Sequence, residues 1–286
     1  MNFFSSCKTT LSMIKFEHTV FALPFAILSA LLASSGWPST EKTLWIVLAM
    51  VGARSAAMAF NRLADHRLDF LNPRTRTRAL PAGHVSRVFV AIFTLGSGFL
   101  FIYSAYQLNT LCLWLSSPVL LILLLYSYTK RFTRFSHLYL GVCIGLAPLG
   151  SWIAVRGSIQ LTPVLLSLAV LLWTAGFDII YSCQDVRFDR QHSLLSIPAR
   201  FGVHTALGIS YALHVGMLLT LVCLVFVESL GWISSLGLFL VAGLLWYEHH
   251  LVHPHDLSRV NAAFFVVNGY ISILLMVTLG LDKLTN

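Results

Sequence analysis

Apolar and polar positions alternate along this chain in long blocks. Nine apolar stretches cover residues 20–36, 43–60, 88–108, 111–128, 138–155, 164–180, 203–227, 232–246 and 260–281. A helix needs about 20 mostly apolar residues to cross the hydrocarbon of a bilayer, with a lower bound near 17. Only residues 232–246 fall short of that bound. The pattern predicts an all-α integral membrane protein of about nine transmembrane helices in one bundle. The polar connections are short, so residues 1–286 read as a single domain.

Composition agrees. The chain is 57% hydrophobic and 10% charged, against about 25% charged in soluble domains. Charge then adds an orientation. Lys8, Lys15, Arg62, Arg67, Arg74, Arg76, Arg78, Arg87, Lys130, Arg131, Arg134, Arg187, Arg190, Arg200 and Arg259 fall at the N-terminus and on alternate connections. The opposite connections hold only Lys42, Arg156 and Lys283. The positive-inside rule puts the N-terminus in the cytoplasm and, with nine spans, the C-terminus outside. The net charge of +8 is therefore one membrane face. No interleaved aromatic pattern marks a nucleic-acid partner.

Residues 20–36 read as a retained span, because Glu17, His18 and Pro24 interrupt the basic-then-apolar pattern of a cleaved signal. The five cysteines are scattered without a CxxC pair and read as small core residues.

Chemistry concentrates where apolar blocks meet basic loops. Asn61, Asp65 and Asp69 stand at four-residue spacing. At about 100° per residue, their side chains fall within an arc of roughly 80° on one helical face. Stacked carboxylates repel, and beside a membrane they call for a cation. Arg54 lies seven residues before Asn61 on nearly the same line. Asp178, Asp185 and Asp189 form a second acidic set, within about 40° of one line on a continuous helix. Tyr181 lies close to that line.

Hard oxygen donors of this kind suit Mg²⁺, which is typically held by carboxylates together with substrate phosphate oxygens. The competing reading is that the aspartates pair with loop arginines as interfacial salt bridges. Residues 72–83 form a Pro/Gly-punctuated loop with alternating Arg74, Arg76 and Arg78, while Lys130 and Arg131 open another. Such cations can clamp a diphosphate, or can simply obey the topology rule. Arg87, Arg134 and Arg259 are assigned to topology. His249, His250, His253 and His255 read as interfacial solvation, and His66 and His192 as outward-facing.

These motifs carry a resemblance. Asn61-x-x-x-Asp65-x-x-x-Asp69, Asp178-x-x-Tyr181-x-x-x-Asp185-x-x-x-Asp189 and Arg78-Ala-Leu-Pro-Ala-Gly83, with the Lys130-Arg131-x-Thr133 loop, resemble the UbiA-type intramembrane aromatic prenyltransferases. The resemblance covers essentially the whole chain. It implies that Asn61, Asp65, Asp69, Asp185 and Asp189 hold Mg²⁺ against a polyprenyl diphosphate. Arg54, Lys130, Arg131 and Arg78 would contact that diphosphate, and Lys15 the carboxylate of an aromatic acid acceptor. Asp178 and Tyr181 are the candidates for removing the ring proton.

The chain also departs from the family pattern. Residues 190–198 lack the usual glycine and basic residue before the serine, which shifts diphosphate contacts to Arg190 or Arg200. Ser136-His137 stands where many members have Pro-Gln. The phrases at residues 16–24, 52–61 and 176–181 resemble the menaquinone branch, whose acceptor is a dihydroxynaphthoate rather than 4-hydroxybenzoate. The implied enzyme is a Mg²⁺-dependent polyprenyltransferase of quinone biosynthesis in the inner membrane, facing the cytoplasm. The alternative is an ion-coupled secondary transporter, whose acids would lie at the midplane on broken helices.

Overall fold

The computed structural model describes residues 10, 19–34 and 36–285. Its long elements are α1 (Thr19–Ala33), α2 (Thr40–Leu71), α3 (Arg87–Leu108), α4 (Thr110–Thr129), α5 (Ser136–Arg156) and α6 (Leu161–Ser182). After the short α7 (Val186–Gln191) and α8 (Ile197–Phe201) come α9 (Val203–Val227), α10 (Trp232–Leu251), the single turn α11 (Val260–Ala262) and α12 (Asn268–Thr285).

Each of the nine expected apolar stretches is helical over most of its described residues. Seven helices among the described residues are long and apolar enough to cross a membrane. The described part of α1 is shorter, and α10 is not among the seven. Leu95, Phe99, Trp114, Phe226 and Phe239 point outward, each at least 70% exposed. Apolar surface of that extent needs an apolar solvent.

The chain divides into two compact units, one built on Leu44–Tyr128 and the other on Val20–Thr43 with everything from Thr129 onward. In the first, α2 and α3 approach closely at Gly52. A Cβ there would stand 2.7 Å from the Phe101 backbone nitrogen and 2.9 Å from the Ser97 carbonyl oxygen. Ser86 starts α3 by accepting the Phe89 N–H at 3.1 Å. Asn109 joins α3 to α4 and caps α4 through the Cys112 N–H at 2.8 Å.

In the second unit, Gly141 and Gly145 give α5 a small-residue ridge against α6. A Cβ at Gly145 would lie 2.7 Å from the Ser167 carbonyl oxygen, and one at Gly141 would strike that of Leu171. Such ridges let membrane helices approach where lipid supplies no hydrophobic drive. Reciprocal serine bonds join α1 to α5: Ser29 donates to the Pro148 carbonyl and Ser151 to that of Ala26, both at 2.6 Å. Lys42 Nζ caps the C-terminal end of α5 through the Val155 carbonyl at 3.1 Å.

Between α1, α6 and the following helices lies an aromatic core of Phe21, Phe25, Trp173, Phe177 and Phe264. One buried polar chain crosses it. Trp173 Nε1 donates to Asn268 Oδ1 at 2.6 Å, and Asn268 Nδ2 donates to Glu248 Oε1 at 2.8 Å. His214 meets His249 ring to ring at 2.9 Å. Asn268 follows a π-helical turn, Ala263–Val267, which re-aims its side chain into the core. Asn268→Leu is expected to orphan the Trp173 N–H and the Glu248 carboxyl together. Each orphaned group costs about 1–3 kcal/mol, so the unfolding midpoint in detergent should fall by several degrees. His249 thus points into the protein, which corrects its reading as a solvated interfacial residue.

Among the described cysteines, Cys112, Cys143 and Cys183 are buried, as core residues should be, whereas Cys223 is exposed, which corrects its core reading.

Candidate active site

The first acidic set lies on one unbroken helix, as its spacing predicts. α2 runs through Leu71, so Asn61, Asp65 and Asp69 share its C-terminal end. Asp65 and Asp69 are buried. Asn61 Nδ2 donates to Asp65 Oδ2 at 3.3 Å. Asp69 is more heavily engaged: Arg62 Nη1 reaches Oδ2 at 3.1 Å, and Arg78 Nη1 reaches Oδ1 and Oδ2 at 2.8 and 3.0 Å. A carboxylate offers about four acceptor sites, so most of those on Asp69 are taken by guanidinium protons.

Arg62 is the residue that sequence reasoning missed in this unit. Its position on an alternate connection classed it with the topology charges, yet it is only 5% exposed. Its Nε finds no hydrogen-bond partner among the described residues. A buried guanidinium with a donor to spare is a waiting anion contact. Arg54 is half-buried higher on the same helix.

Arg78 reaches Asp69 because the loop after α2 is folded down. Thr75 Oγ1 donates to the Asp69 carbonyl at 3.0 Å, and the Arg74 N–H donates to Asn72 Oδ1 at 2.9 Å. Leu80, 3% exposed, plugs into a pocket made by Ala59 and Val90. Arg78 sits between these two anchors.

The second acidic set departs from its expected geometry. α6 ends at Ser182, and Cys183–Asp185 form a 3₁₀ turn before α7. Ser182 Oγ and Cys183 Sγ both donate to the Ile179 carbonyl, at 2.8 and 3.4 Å. Such side-chain bonds compete with helical ones. A 3₁₀ residue advances about 120° rather than about 100°, so three of them swing the face by about 60°. On these angles Asp178, Asp185 and Asp189 spread over about 80° of one face, twice the arc that an unbroken helix gives them.

Each of these acids has its own surroundings. Asp178 Oδ2 lies 2.7 Å from His137 Nδ1. Asp189 Oδ2 accepts from Ser196 Oγ at 2.7 Å. Asp185 is half-buried in the 3₁₀ turn. Tyr181 packs its ring on Phe264, centroids 4.2 Å apart. Lys130 is half-buried, with its carbonyl accepting the Leu195 N–H at 2.7 Å, whereas Arg131 is exposed. Arg190 Nε is spent on the Ala199 carbonyl at 2.9 Å. Lys15 lies outside the described residues.

Among the described residues, no three or more His, Cys, Asp or Glu side chains converge as a ready metal cage. Mg²⁺ takes one or two protein carboxylates and completes its shell with water and phosphate oxygens. The Asn61/Asp65 pair offers oxygen donors of the right hardness, with the unpartnered Arg62 Nε on the same helix.

A multi-pass helical membrane protein with paired acids and buried cations at helix ends is the class these observations define. The profile of the UbiA prenyltransferase family matches residues 22–270, and the chain belongs to that family. It is an aromatic prenyltransferase. Among curated relatives, the 4-hydroxybenzoate octaprenyltransferase of Aromatoleum aromaticum is 29% identical over 88% of this chain and 85% of its own length. The protein of that name from Tolumonas auensis is 32% identical over 63% of each chain. Among solved structures, the apo UbiA homologue of Aeropyrum pernix K1 superposes with a TM-score of 0.84. It is 36% identical, over 93% of this chain and 98% of that one. A UbiA homologue from Archaeoglobus fulgidus, bound to DMAPP and Mg²⁺, shares the fold with a TM-score of 0.77 at 17% identity. That likeness covers 97% of this chain and 99% of that one.

Proposed function

We propose that the protein transfers a polyprenyl group from a polyprenyl diphosphate to an aromatic hydroxy acid in quinone biosynthesis. The observation that carries this reading is the α2 end, where buried carboxylates alternate with a buried guanidinium that keeps a free donor. Asn61, Asp65, Asp185 and Asp189 are the oxygen donors for Mg²⁺, which supplies charge neutralisation at the leaving diphosphate. Asp69 joins them, chiefly by holding Arg62 and Arg78 toward the same anion. Arg54 and Lys130 add positive charge where negative charge develops as the allylic C–O bond breaks. The surrounding helices exclude water from the electron-poor prenyl carbon. The acceptor ring attacks that carbon and loses its proton, for which Asp178 and Tyr181 are the candidates. Lys15 is proposed for the acceptor carboxylate.

On this reading the chain works as one domain of nine spans in the inner membrane. Its acids face the cytoplasm, its N-terminus is cytoplasmic and its C-terminus is outside. The relatives' name favours 4-hydroxybenzoate as acceptor. The motif phrasing and Ser136-His137 favour a dihydroxynaphthoate instead, and so the menaquinone branch. An ion-coupled transporter is disfavoured, because the acids sit at helix ends beside basic loops.

The test offers membranes containing the protein Mg²⁺, a polyprenyl diphosphate and either acceptor. Prenylated dihydroxynaphthoate is the expected product, and removal of Mg²⁺ by chelation should stop its formation. Activity on 4-hydroxybenzoate alone would reassign the acceptor. Activity on neither would sink the reading.

A further inference from the structure

His137 opens α5 with its side chain 4% exposed, and both of its ring nitrogens are engaged. The Ile197 N–H donates to Nε2 at 3.4 Å, the long end of a hydrogen bond. A backbone N–H can only donate, so Nε2 must be the acceptor and the ring proton sits on Nδ1. From there it is directed at Asp178 Oδ2, 2.7 Å away. The ring is thus a strut between α6 and the start of α8. With its acceptor nitrogen occupied, it is not placed to take a proton from a substrate.

What the strut holds is a short strap, residues 194–199, that gathers several of the anion-site residues of this unit. The Leu194 N–H donates to the Asp189 carbonyl at 2.9 Å, and the Leu195 N–H to the Lys130 carbonyl at 2.7 Å. Ser196 Oγ donates to Asp189 Oδ2 at 2.7 Å and also accepts the Ala199 N–H, capping α8. Arg190 Nε closes the far end on the Ala199 carbonyl. Ile197, bonded to His137, directly follows Ser196. Letting Ile197 drift by an ångström would carry Ser196 away from Asp189 and loosen the Lys130 backbone with it.

We propose that His137 is a positioning residue for the diphosphate: through Ile197 it fixes the strap that sets Asp189 and Lys130. The inference rests on the prenyl diphosphate reading given above. Its two links can be separated. In His137→Gln, the side-chain oxygen reaches the position of Nε2 and can still accept from Ile197. In His137→Asn, the shorter amide can still donate to Asp178 but does not reach the strap.

Titration of the purified protein with geranyl diphosphate at saturating Mg²⁺ tests the idea without turnover. His137→Ala is expected to weaken binding at least about tenfold, the scale on which residues orienting a ligand set act. His137→Gln should bind within about threefold of the wild type, and His137→Asn should resemble alanine. Ser196→Ala, which removes the bond to the Asp189 carboxylate together with the α8 cap, should reproduce the loss if His137→Ala does not fold. In turnover assays the effect should appear in KM for the diphosphate, with the acceptor KM unchanged. Wild-type binding with equal affinity in all four variants would overturn the inference and leave the proposed function standing. Equal weakening by the Gln, Asn and Ala variants would also overturn it, because no bond of the strut would then be distinguished. A wild type that binds no prenyl diphosphate would remove the proposed function and this inference with it.

Discussion

Asp65→Ala and Asp185→Ala are each expected to abolish prenyl transfer while leaving the protein inserted and extractable. Partners of metal ligands typically change activity or affinity by about 10–100-fold, so loss of a direct oxygen donor should exceed about 100-fold. Asp65 is buried beside the Asn61 amide, and Asp69 remains to pair with Arg62 when Asp65 is removed. The fold therefore has little reason to suffer. Asp65→Asn should be almost as inactive as alanine, because it keeps the shape and loses the charge. The assay is product formation in membranes with Mg²⁺ and geranyl diphosphate, normalised to the amount of inserted protein. Near-normal activity in both Asp65→Ala and Asp185→Ala would end the two-set metal proposal.

Asp69→Ala should fail differently. It removes the carboxylate that holds buried Arg62 and half-buried Arg78, leaving one guanidinium charged and unpaired in the protein interior. Breaking a buried pair from one side costs about 3–5 kcal/mol, so the thermal midpoint in detergent should drop steeply. Exchanging the partners together, Arg62→Met with Asp69→Leu, should recover most of the stability. Well-packed apolar pairs replace buried ion pairs with little loss. Arg78 retains a way out to solvent, with 27% of its side chain exposed. The double variant should nevertheless remain inactive. Unchanged stability in Asp69→Ala would mean that the two arginines find their compensation elsewhere.

The contrast between these two neighbours bears on what could be read from the sequence. The apolar blocks marked where the long helices of the described residues fall, and four-residue spacing placed Asn61, Asp65 and Asp69 on one face of α2. Those are local properties, fixed by helical period. The second set spreads over a wider arc than the helical wheel gives, because the wheel assumes an unbroken helix and the spacing of Asp178, Asp185 and Asp189 does not announce the 3₁₀ turn at Cys183–Asp185. The serine and cysteine side by side at a helix end were the available signal. Arg62 was legible as a cation but not as a buried one, since burial depends on how the following loop folds back. His137 stood out as a departure from the family pattern, yet its partners lie 41 and 60 residues away, beyond any local rule. Helical period likewise gave no warning of the π-helical turn that aims Asn268 inward.

The loop that carries Arg78 has a further consequence. Leu80 is seated and Thr75 is bonded through the protein's own groups, so the guanidinium between them is confined by folding. Ordering a flexible segment at the moment of association costs about 1–2 kcal/mol per residue of backbone freedom. Here that cost is met in advance by burying one leucine. The loop is preorganised, and affinity for the anion becomes tied to an apolar contact that never touches it. Shape changes at Ala59 or Val90, in the seat of that leucine, would register as a change in charge recognition.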